Sequence, residues 1–545
     1  MRLYLFIYYI TMFVLIFLTL FSAKHHLQIF QQNSYRNDRY KNHLSSNTNK
    51  YKINIFMFIA SIALFAFSTI ILFCSFKLES PAVVYALFWI KNIIVLGVSL
   101  VLITIFALTY KMYQQKTIKP LVYTPRVNRL CATLTILFML ILSLLFFTDL
   151  VFNLDIFLLL LAAAIVPYLV LLANVINSPI EKHIQEGFIN DAKKMLNSHK
   201  NLIKIGITGS YGKTSVKNYL TALLSTEYEV LMTPASFNTP MGVVRTIREN
   251  LRGTTQIFIC EMGAKECHDI KDLCDIVTPD HSIVTAIGPQ HLESFKTVEN
   301  IVKTKLDLAK YTKDDGIILL NLDSKLICDN LPTKKHLTYG VESDSNYKPY
   351  DIIQSVEGTT FTLNVDDETE TFTTKLIGTH NIGNLVSAIV MSKKLGISLE
   401  KLKHEVLKIP SVPHRLELKK HKSFTIIDDA FNSNPEGSSY ALDALKMFDG
   451  LKIIITPGMI ELGDMQYKAN FDFGTKMSTI CDYIILVGKT QTIPISDALK
   501  ESSFPKDNLY VASSFKEGYD YAMNIQDKKH KYILIENDLP DNYLK

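Results

Sequence analysis

The sequence predicts a multi-domain protein: an α-helical transmembrane N-terminal region, then an α/β domain built on a phosphate-binding loop (P-loop), then a smaller Rossmann-like α/β domain. Three observations carry this prediction. Hydrophobic residues make up 48% of the 545 residues and mean hydropathy is +0.17, yet the apolar excess sits almost entirely in the first third. Lys204–Thr208 (KIGIT), the glycine-rich 209–215 (GSYGKTS) and a helical pattern over Val216–Leu224 follow in the order strand, loop, helix. After them β-rich runs alternate with helical patterns, as in a parallel sheet with helices on both faces. The domains expected are a membrane domain of about five helices at 1–177, an amphipathic connector at 178–200, the P-loop domain at 201–410 and the last domain at 411–545.

In the first third, Leu3–Ala23 is an almost uncharged run long enough to cross about 30 Å of hydrocarbon as a helix. It carries little N-terminal positive charge and further spans follow, which argues against a cleaved signal peptide. Similar runs occupy Ile53–Phe76, Ile93–Tyr110 (with a start as early as Pro81 also open), Cys131–Phe152 and Ile156–Ile176, making five spans. The loop at 24–53 carries Lys24, Arg36, Arg39, Lys41, Lys50 and Lys52, and the third loop carries Lys111, Lys116, Lys119, Arg126 and Arg129. Lysine and arginine close to a span tend to stay cytoplasmic. The expected topology is therefore an integral membrane protein of the cell membrane, N-terminus outside, with everything after about 178 in the cytoplasm. Lys91 lies within a span; it reads as a side chain snorkelling to the interface, with a role in a transport path as the alternative.

A formal charge of +5 with dispersed basic residues gives no nucleic-acid groove, so no nucleic-acid partner is expected. Cys260, Cys267 and Cys274 recur every seven residues beside His268, but without close CxxC pairs they read as reduced thiols, not metal ligands. Asn177–Leu196 mixes charged and apolar residues at helical spacing and reads as a juxtamembrane helix.

The P-loop has separable chemical parts. Gly209 and Gly212 let the backbone approach phosphate oxygens, and the following helix N-terminus points free N–H groups at the anion. Lys213 supplies a point charge to the β- and γ-phosphates, and Thr214 offers a hydroxyl to Mg²⁺. A loop of this kind does not by itself distinguish a ligase from a motor or a transporter.

The downstream residues narrow the choice. TGSYGKTS (208–215), FNTPMGV (237–243), EMGA (261–264), HLESF (291–295), KTKLDLAK (303–310), GTHNIGN (378–384), PHRLE (413–417) and DDAFNSNP (428–435) occur in one order. In these motifs the chain resembles the Mur ligases of peptidoglycan synthesis over about 200–490, and most resembles the branch that adds D-alanyl-D-alanine to a muramoyl tripeptide. The resemblance implies a Mur-ligase central ATP-binding domain followed by a Mur-ligase C-terminal domain. It assigns Gly209, Ser210, Gly212, Lys213, Thr214 and Ser215 to the nucleotide, with His380, Asn381, Asn384, Arg415, Asp429 and Asn432 lining the rest of its site. It implies Thr214, Glu261, His291 and Lys305 as magnesium-site residues, and Lys213, His291 and Lys305 as the catalytic set. Asn238 and Thr239 match a loop facing the acyl substrate. Lys305 matches a lysine that family members carbamylate, which converts an ammonium into an anionic oxygen ligand; Lys303 is its local competitor.

The function expected is a membrane-anchored, ADP-forming acid–amino-acid ligase in cell-wall biogenesis, requiring ATP, Mg²⁺ and a carbamylated Lys305. It would act through an acyl phosphate and join a carboxylate-bearing cell-wall precursor to an amino-acid or dipeptide amine such as D-Ala-D-Ala, with membrane lipid as a further partner. Two departures keep the substrates open. Membrane spans stand where that branch has a soluble uridine-nucleotide-binding domain, and Ile535–Glu536–Asn537–Asp538–Leu539–Pro540 stands where it usually has Lys-Gly-Ser. Amide synthesis on another polymer, such as a poly-γ-glutamate-like chain or a capsule, remains an alternative, as does an ATP-dependent membrane transport or assembly role.

Overall fold

The computed structural model describes residues 2–46, 48–75, 78, 80–114, 120–146, 154–235, 237–431, 433–460 and 462–537. Lys116, Lys119, Asp149, Asn432 and the segment from Asp538 onward lie outside the described residues. Two compact units divide the chain, Met1–Gly187 and Phe188–Lys545.

The first unit is helical: α1 (Arg2–Gln32), α2 (Asn37–Ser46), α3 (Thr48–Ser75), α4 (Pro81–Gln114), α5 (Pro125–Phe146) and the first part of α6 (Leu154–Ser198). Among the described residues, four stretches are long and apolar enough to cross a membrane: Phe6–Gln32, Asn54–Ser75, Pro81–Leu108 and Ile156–Ser198. The expected fourth span begins in α5, and its remainder, 147–152, lies outside the described residues. The third starts at Pro81, the earlier of the two starts considered. The expected connector is helical, as part of α6, which runs unbroken with Pro167 and Pro179 inside; each proline removes one donor, and the rest of a 45-residue ladder carries the loss. Lys91 lies about 15 Å into α4 and is 1% exposed, with its ammonium 5.3 Å from the Phe88 ring centroid.

The second unit contains two parallel-sheet layers. The first is built from β1 (Ile203–Thr208), α7 (Lys213–Leu224), β2 (Val230–Met232), α8 (Pro240–Asn250), β3 (Ile257–Glu261), α9 (Asp269–Val277), β4 (His281–Val284), α10 (Leu292–Phe295), α11 (Val298–Tyr311), β5 (Ile318–Asn321), α12 (Lys325–Cys328) and β6 (Leu337–Tyr339). Its strands are all parallel, in the order β2-β3-β1-β4-β5-β6. Ile205, Ile207, Ile257 and Ile259 pack into one core with Val216 and Leu220 of α7, while Phe258, Cys260 and Val284 pack into another with Val243, Leu273 and Leu308. Burial on both faces explains why these strands read as continuous apolar runs. An antiparallel sheet of β7 (Tyr350–Ser355), β8 (Gly358–Val365) and β9 (Glu368–Thr374) follows, then α13 (Thr379–Lys394) and α14 (Leu399–Val406). Phe361 and Phe372 stack within that sheet and join the α13 core.

The second layer comprises β10 (Glu417–Lys420), β11 (Phe424–Asp429), α15 (Pro435–Lys446), β12 (Leu451–Thr456), α16 (Gln466–Ile480), β13 (Tyr483–Val487), α17 (Ile493–Glu501), β14 (Leu509–Ala512), α18 (Phe515–Asn524) and β15 (Lys531–Glu536). The strand order is β10-β11-β15-β12-β13-β14, parallel except for β10. The expected strands at Ile426–Asp428, Lys452–Thr456 and Tyr483–Val487 fall within β11, β12 and β13. The order is not the 3-2-1-4-5-6 of the dinucleotide-binding fold.

Asp323 pins the end of β5 to the segment after β6, accepting from the backbone N–H groups of Val341 (2.6 Å), Glu342 (3.0 Å) and Ser343 (2.8 Å). Asp323→Ala leaves three amides without this acceptor. It should destabilise the protein by about 2 kcal/mol, read as a lowered thermal unfolding midpoint of the full chain in detergent; an unchanged midpoint would contradict this account.

Candidate active site

β1 and β3 lie side by side with Ile207 opposite Glu261, so the P-loop and the Glu261 carboxylate leave the sheet at the same edge. Ligands of open α/β sheets bind at that edge, beyond the carboxyl ends of the strands. Gly209 (φ 151°) and Gly212 (φ 79°) hold backbone conformations that side chains disfavour. A Cβ on Gly209 would stand 1.9 Å from Thr285 Oγ1, and one on Gly212 2.5 Å from Asn384 Oδ1. The loop is therefore pressed between the turn after β4 and α13. Ser210 holds it from below, its hydroxyl donating to Gly288 O (2.9 Å) and accepting from Gly288 N (3.0 Å). Ser215 is buried in the first turn of α7.

Two lysines converge on this loop. Lys213 Nζ donates to Gly209 O (2.7 Å) and Ser210 O (3.1 Å), and Lys305 Nζ, from α11, donates to the same Gly209 O (3.0 Å). Desolvation lowers the Lys213 pKa to about 8, with Glu261 opposing and Arg415 adding to the shift. Lys305 is 2% exposed, and burial followed by the charge of Lys213 pulls it well below the ordinary lysine range. Lys303 is exposed, so only Lys305 of the two candidates reaches the loop.

Glu261 is the hub of the opposite wall. Its Oε2 accepts from Thr214 Oγ1 (3.1 Å) and pairs with Lys217 Nζ (2.9 Å), and its Oε1 accepts from Asn238 Nδ2 (3.1 Å). Burial alone would raise this carboxyl, but Lys217 and Lys213, with hydrogen bonds from Lys217 and Asn238, hold it below its ordinary pKa. Asn238 also packs on Gly263, and the exposed Thr239 opens α8 ahead of Pro240. His291 starts α10 in left-handed backbone (φ 56°), three residues beyond Gly288.

From α13, Asn384 covers Gly212, whereas the Asn381 amide is engaged inside the protein, donating to Ile377 O (2.9 Å) and accepting from Tyr219 O–H (3.1 Å). His380 is different. Burial and then Arg415 lower its pKa to about 4, its ring lies 5.4 Å from Tyr440, and its buried Nδ1 has no hydrogen-bond partner. Arg415 lies over the Phe431 ring (4.3 Å) and faces the charges of Asp429, Glu261 and Glu536. Asp429 Oδ1 accepts from Leu416 N (3.2 Å).

Three residues of this constellation escaped the sequence reading. Lys217 is a buried cation on the inner face of α7, and its one sequence signal is its place among Val216, Leu220 and Leu223. Tyr211, inside the P-loop, has a buried hydroxyl without a partner. Glu536, noted only as a departure from the family pattern, is fully buried and pairs in register with Asp429 across β11 and β15. Ser433 Oγ donates to its Oε1 (2.7 Å), while its Oε2 lacks a donor unless one proton is shared with Asp429. Burial raises both carboxyls; the charge of Asp429 raises Glu536 further, while Arg415, the Leu416 N–H and the hydrogen bond with Glu536 offset part of the rise at Asp429.

These residues fit a nucleoside triphosphate with a divalent cation. The glycines leave backbone open to phosphate, Thr214 and Glu261 are the oxygen donors a hard cation takes, and the orphaned His380 Nδ1 offers a polar contact beside the Tyr440 ring. Comparison with known proteins agrees. Residues 207–392 match the Mur ligase middle domain, and 414–536 match the domain described as Mur ligase, glutamate ligase domain. A UDP-N-acetylmuramoyl-tripeptide--D-alanyl-D-alanine ligase of Bacillus subtilis is 30% identical over 335 residues, 61% of this chain and 71% of the relative. The chain belongs to the Mur ligase family. It is therefore an ATP-dependent, ADP-forming amide ligase. Among solved structures, MurF from Thermotoga maritima in complex with ADP aligns at TM-score 0.58 and 24% identity, covering 65% of this chain and 80% of that one. MurF from Acinetobacter baumannii aligns at 0.58 and 22%, covering 65% and 77%. Both share the fold of the Mur ligase domains.

The acid pair makes a pH prediction. Because the folded chain keeps a proton on Asp429 and Glu536 above the ordinary carboxylate range, it binds more protons there than the unfolded chain, and stability falls as pH rises through the raised values. Glu536→Gln removes one partner, so between about pH 5 and about pH 8 its unfolding midpoint should fall less than the wild-type midpoint; parallel curves would rule out the shared proton.

Proposed function

We propose that this Mur ligase is membrane-anchored and joins a muramoyl-peptide carboxylate to an amino-acid or dipeptide amine, D-alanyl-D-alanine being the first candidate. The observation that carries the reading is the convergence of Lys213 and Lys305 on Gly209 O beside the Thr214–Glu261 contact. The names of the relatives supply the substrate class, and the apolar helices of the first unit supply the anchor.

In this reading the P-loop amides and Lys213 hold the triphosphate, and Arg415 contributes a second cation from the C-terminal domain. Mg²⁺, which Thr214, Glu261 and His291 would hold, would neutralise charge on the transferring phosphoryl group. Asn238, fixed by Glu261, orients the acyl substrate together with Thr239, and Asn384 keeps the loop in its phosphate-ready shape. The substrate carboxylate takes the phosphoryl group to give an acyl phosphate; the amine then attacks the carbonyl carbon and phosphate leaves. No protein nucleophile is required. His380 flanks the nucleotide, Asn381 holds α13 against α7 behind it, and Asp429 faces it from β11.

Lys305 has the chemistry needed for carbamylation. Only a neutral amine attacks CO₂, and Lys305 is driven toward neutrality by its burial and by Lys213. As a carbamate it would present oxygen to the cation and attract Lys213 instead of repelling it.

The deciding assay incubates detergent-solubilised protein with ATP, Mg²⁺, UDP-muramoyl tripeptide and D-Ala-D-Ala, reading ADP and product mass. ADP formed only when both a carboxylate and an amine are present supports ligation; ADP formed without either argues for another use of the fold. Lys213→Ala should abolish turnover with folding intact. Lys305→Ala should be nearly inactive and regain part of its activity with excess formate or acetate, while Lys303→Ala should stay close to wild type. Activity in Lys305→Ala without added acid would defeat the carbamate. For topology, a cysteine at Tyr123, in the loop before Arg126, should resist impermeant reagents applied outside, whereas one at Asn153, a position outside the described residues, should react. The reverse pattern would put the ATP site outside the cell.

A further inference from the structure

At the end of the apolar part of α6, a cavity of ≈ 360 Å³ lies within the first unit, lined by Asn37, Asn174, Val175, Ser178, Pro179 and Lys182. Two amides, a hydroxyl and an ammonium form its polar lining. Asn174 is 9% exposed and held on both sides: its Nδ2 donates to Asn37 Oδ1 (3.0 Å) and its Oδ1 accepts from Arg126 Nη2 (3.4 Å). Arg126 in turn stacks over Tyr35 (4.3 Å).

The charges around this cavity do not balance. Glu181 is the carboxylate at the cluster, and both its oxygens are taken by the fork of Arg129, at 2.6 and 2.9 Å. Arg126 Nε stands 4.0 Å from Glu181 and is buried without a hydrogen-bond partner, and the Asn177 Nδ2 next along α6 is buried without one as well. Among the described residues, Arg126 and Arg129 thus share one carboxylate, and the exposed Lys182, which lines the cavity, follows it at the level where α6 passes from apolar to charged sequence. Positive charge held next to a span is costly without a counter-anion. The anion that a bilayer supplies at this depth is a lipid phosphate, and polar, basic pockets between helices on the cytoplasmic side suit such head groups.

We propose that this cavity binds the phosphate-bearing head group of an anionic membrane lipid, with Lys182 as its cation and Asn37, Asn174 and Ser178 as its hydrogen-bonding wall. The inference rests on the membrane-anchored reading. The phosphate enters as a counter-charge to Lys182, and holding it would brace the start of α5 against α6 through Asn174, which Arg126 meets from α5.

The test uses full-length protein with vesicles of phosphatidylcholine alone or mixed with phosphatidylglycerol. Flotation comes first: protein that floats with neither vesicle overturns the membrane reading and this proposal with it. For protein that floats, native mass spectrometry after detergent extraction reads the phosphatidylglycerol retained relative to phosphatidylcholine. Wild type should retain phosphatidylglycerol preferentially, and Lys182→Gln should lose about fivefold of that preference, the weight of one cation near a bilayer surface. Asn174→Leu should lose at least as much. Lys24→Gln, which removes an exposed lysine of α1 outside the cavity, should keep it. Equal retention in all four proteins would overturn the proposal. So would displacement of the lipid by an equal concentration of inorganic phosphate, which would make the site one for a soluble anion. Circular dichroism of each variant separates loss of binding from loss of fold.

Discussion

A carboxylate buried at the end of a central strand has to be neutralised, and in this protein the neutralisation of Glu261 organises everything around it. Lys217 meets it from α7, Thr214 from the first turn of the same helix and Asn238 from the segment leading into α8. Removing one member of a buried ion pair leaves an uncompensated charge, at a cost of about 3–5 kcal/mol. The P-loop helix and the loop carrying Asn238 are therefore fixed relative to β3 by one side chain. Lys217 Nζ also donates to Ala235 O (2.6 Å), which ties the loop ahead of Asn238 to the same charge.

The second constraint is the crowding of cations at Gly209. One carbonyl accepts from both Lys213 and Lys305, and two ammonium groups that close in a desolvated site repel each other strongly. Relief is available in three ways: triphosphate drawing Lys213 outward, deprotonation of Lys305, or conversion of Lys305 to an anion. The first two follow from elementary electrostatics. The third follows from the second, since the neutral amine is the reactive form toward CO₂.

What could be read from the sequence was what is local. The strand, loop and helix around GSYGKTS form one contiguous segment whose glycines are needed where they stand, and the C-terminal strands announced themselves as short apolar runs. Lys303 and Lys305 could not be separated from one sequence; on α11 they fall on different faces, and only the buried one reaches Gly209. Lys217 and Glu536 were passed over because a buried charge has no periodic signature. Its meaning lies in a partner distant in sequence, Glu261 for Lys217 and Ser433 and Asp429 for Glu536. Asn381 carried the opposite difficulty: its motif points to the nucleotide, but its amide is occupied in holding α13 to Tyr219 of α7.

The acid pair shows how the C-terminal domain can answer the nucleotide without a rigid link to it. Asp429 and Glu536 end neighbouring strands, and Arg415 faces them while also facing Glu261 in the central domain. With one proton shared, the pair carries a single negative charge, enough to balance one guanidinium. Were Arg415 to turn its charge to a triphosphate, as proposed above, the carboxyls would lose their counter-ion, and the least costly response would be to bind a further proton instead of leaving two anions in a desolvated site. Engagement of phosphate by Arg415 and proton uptake by the pair are then linked, so the affinity contributed by this domain should weaken as pH rises.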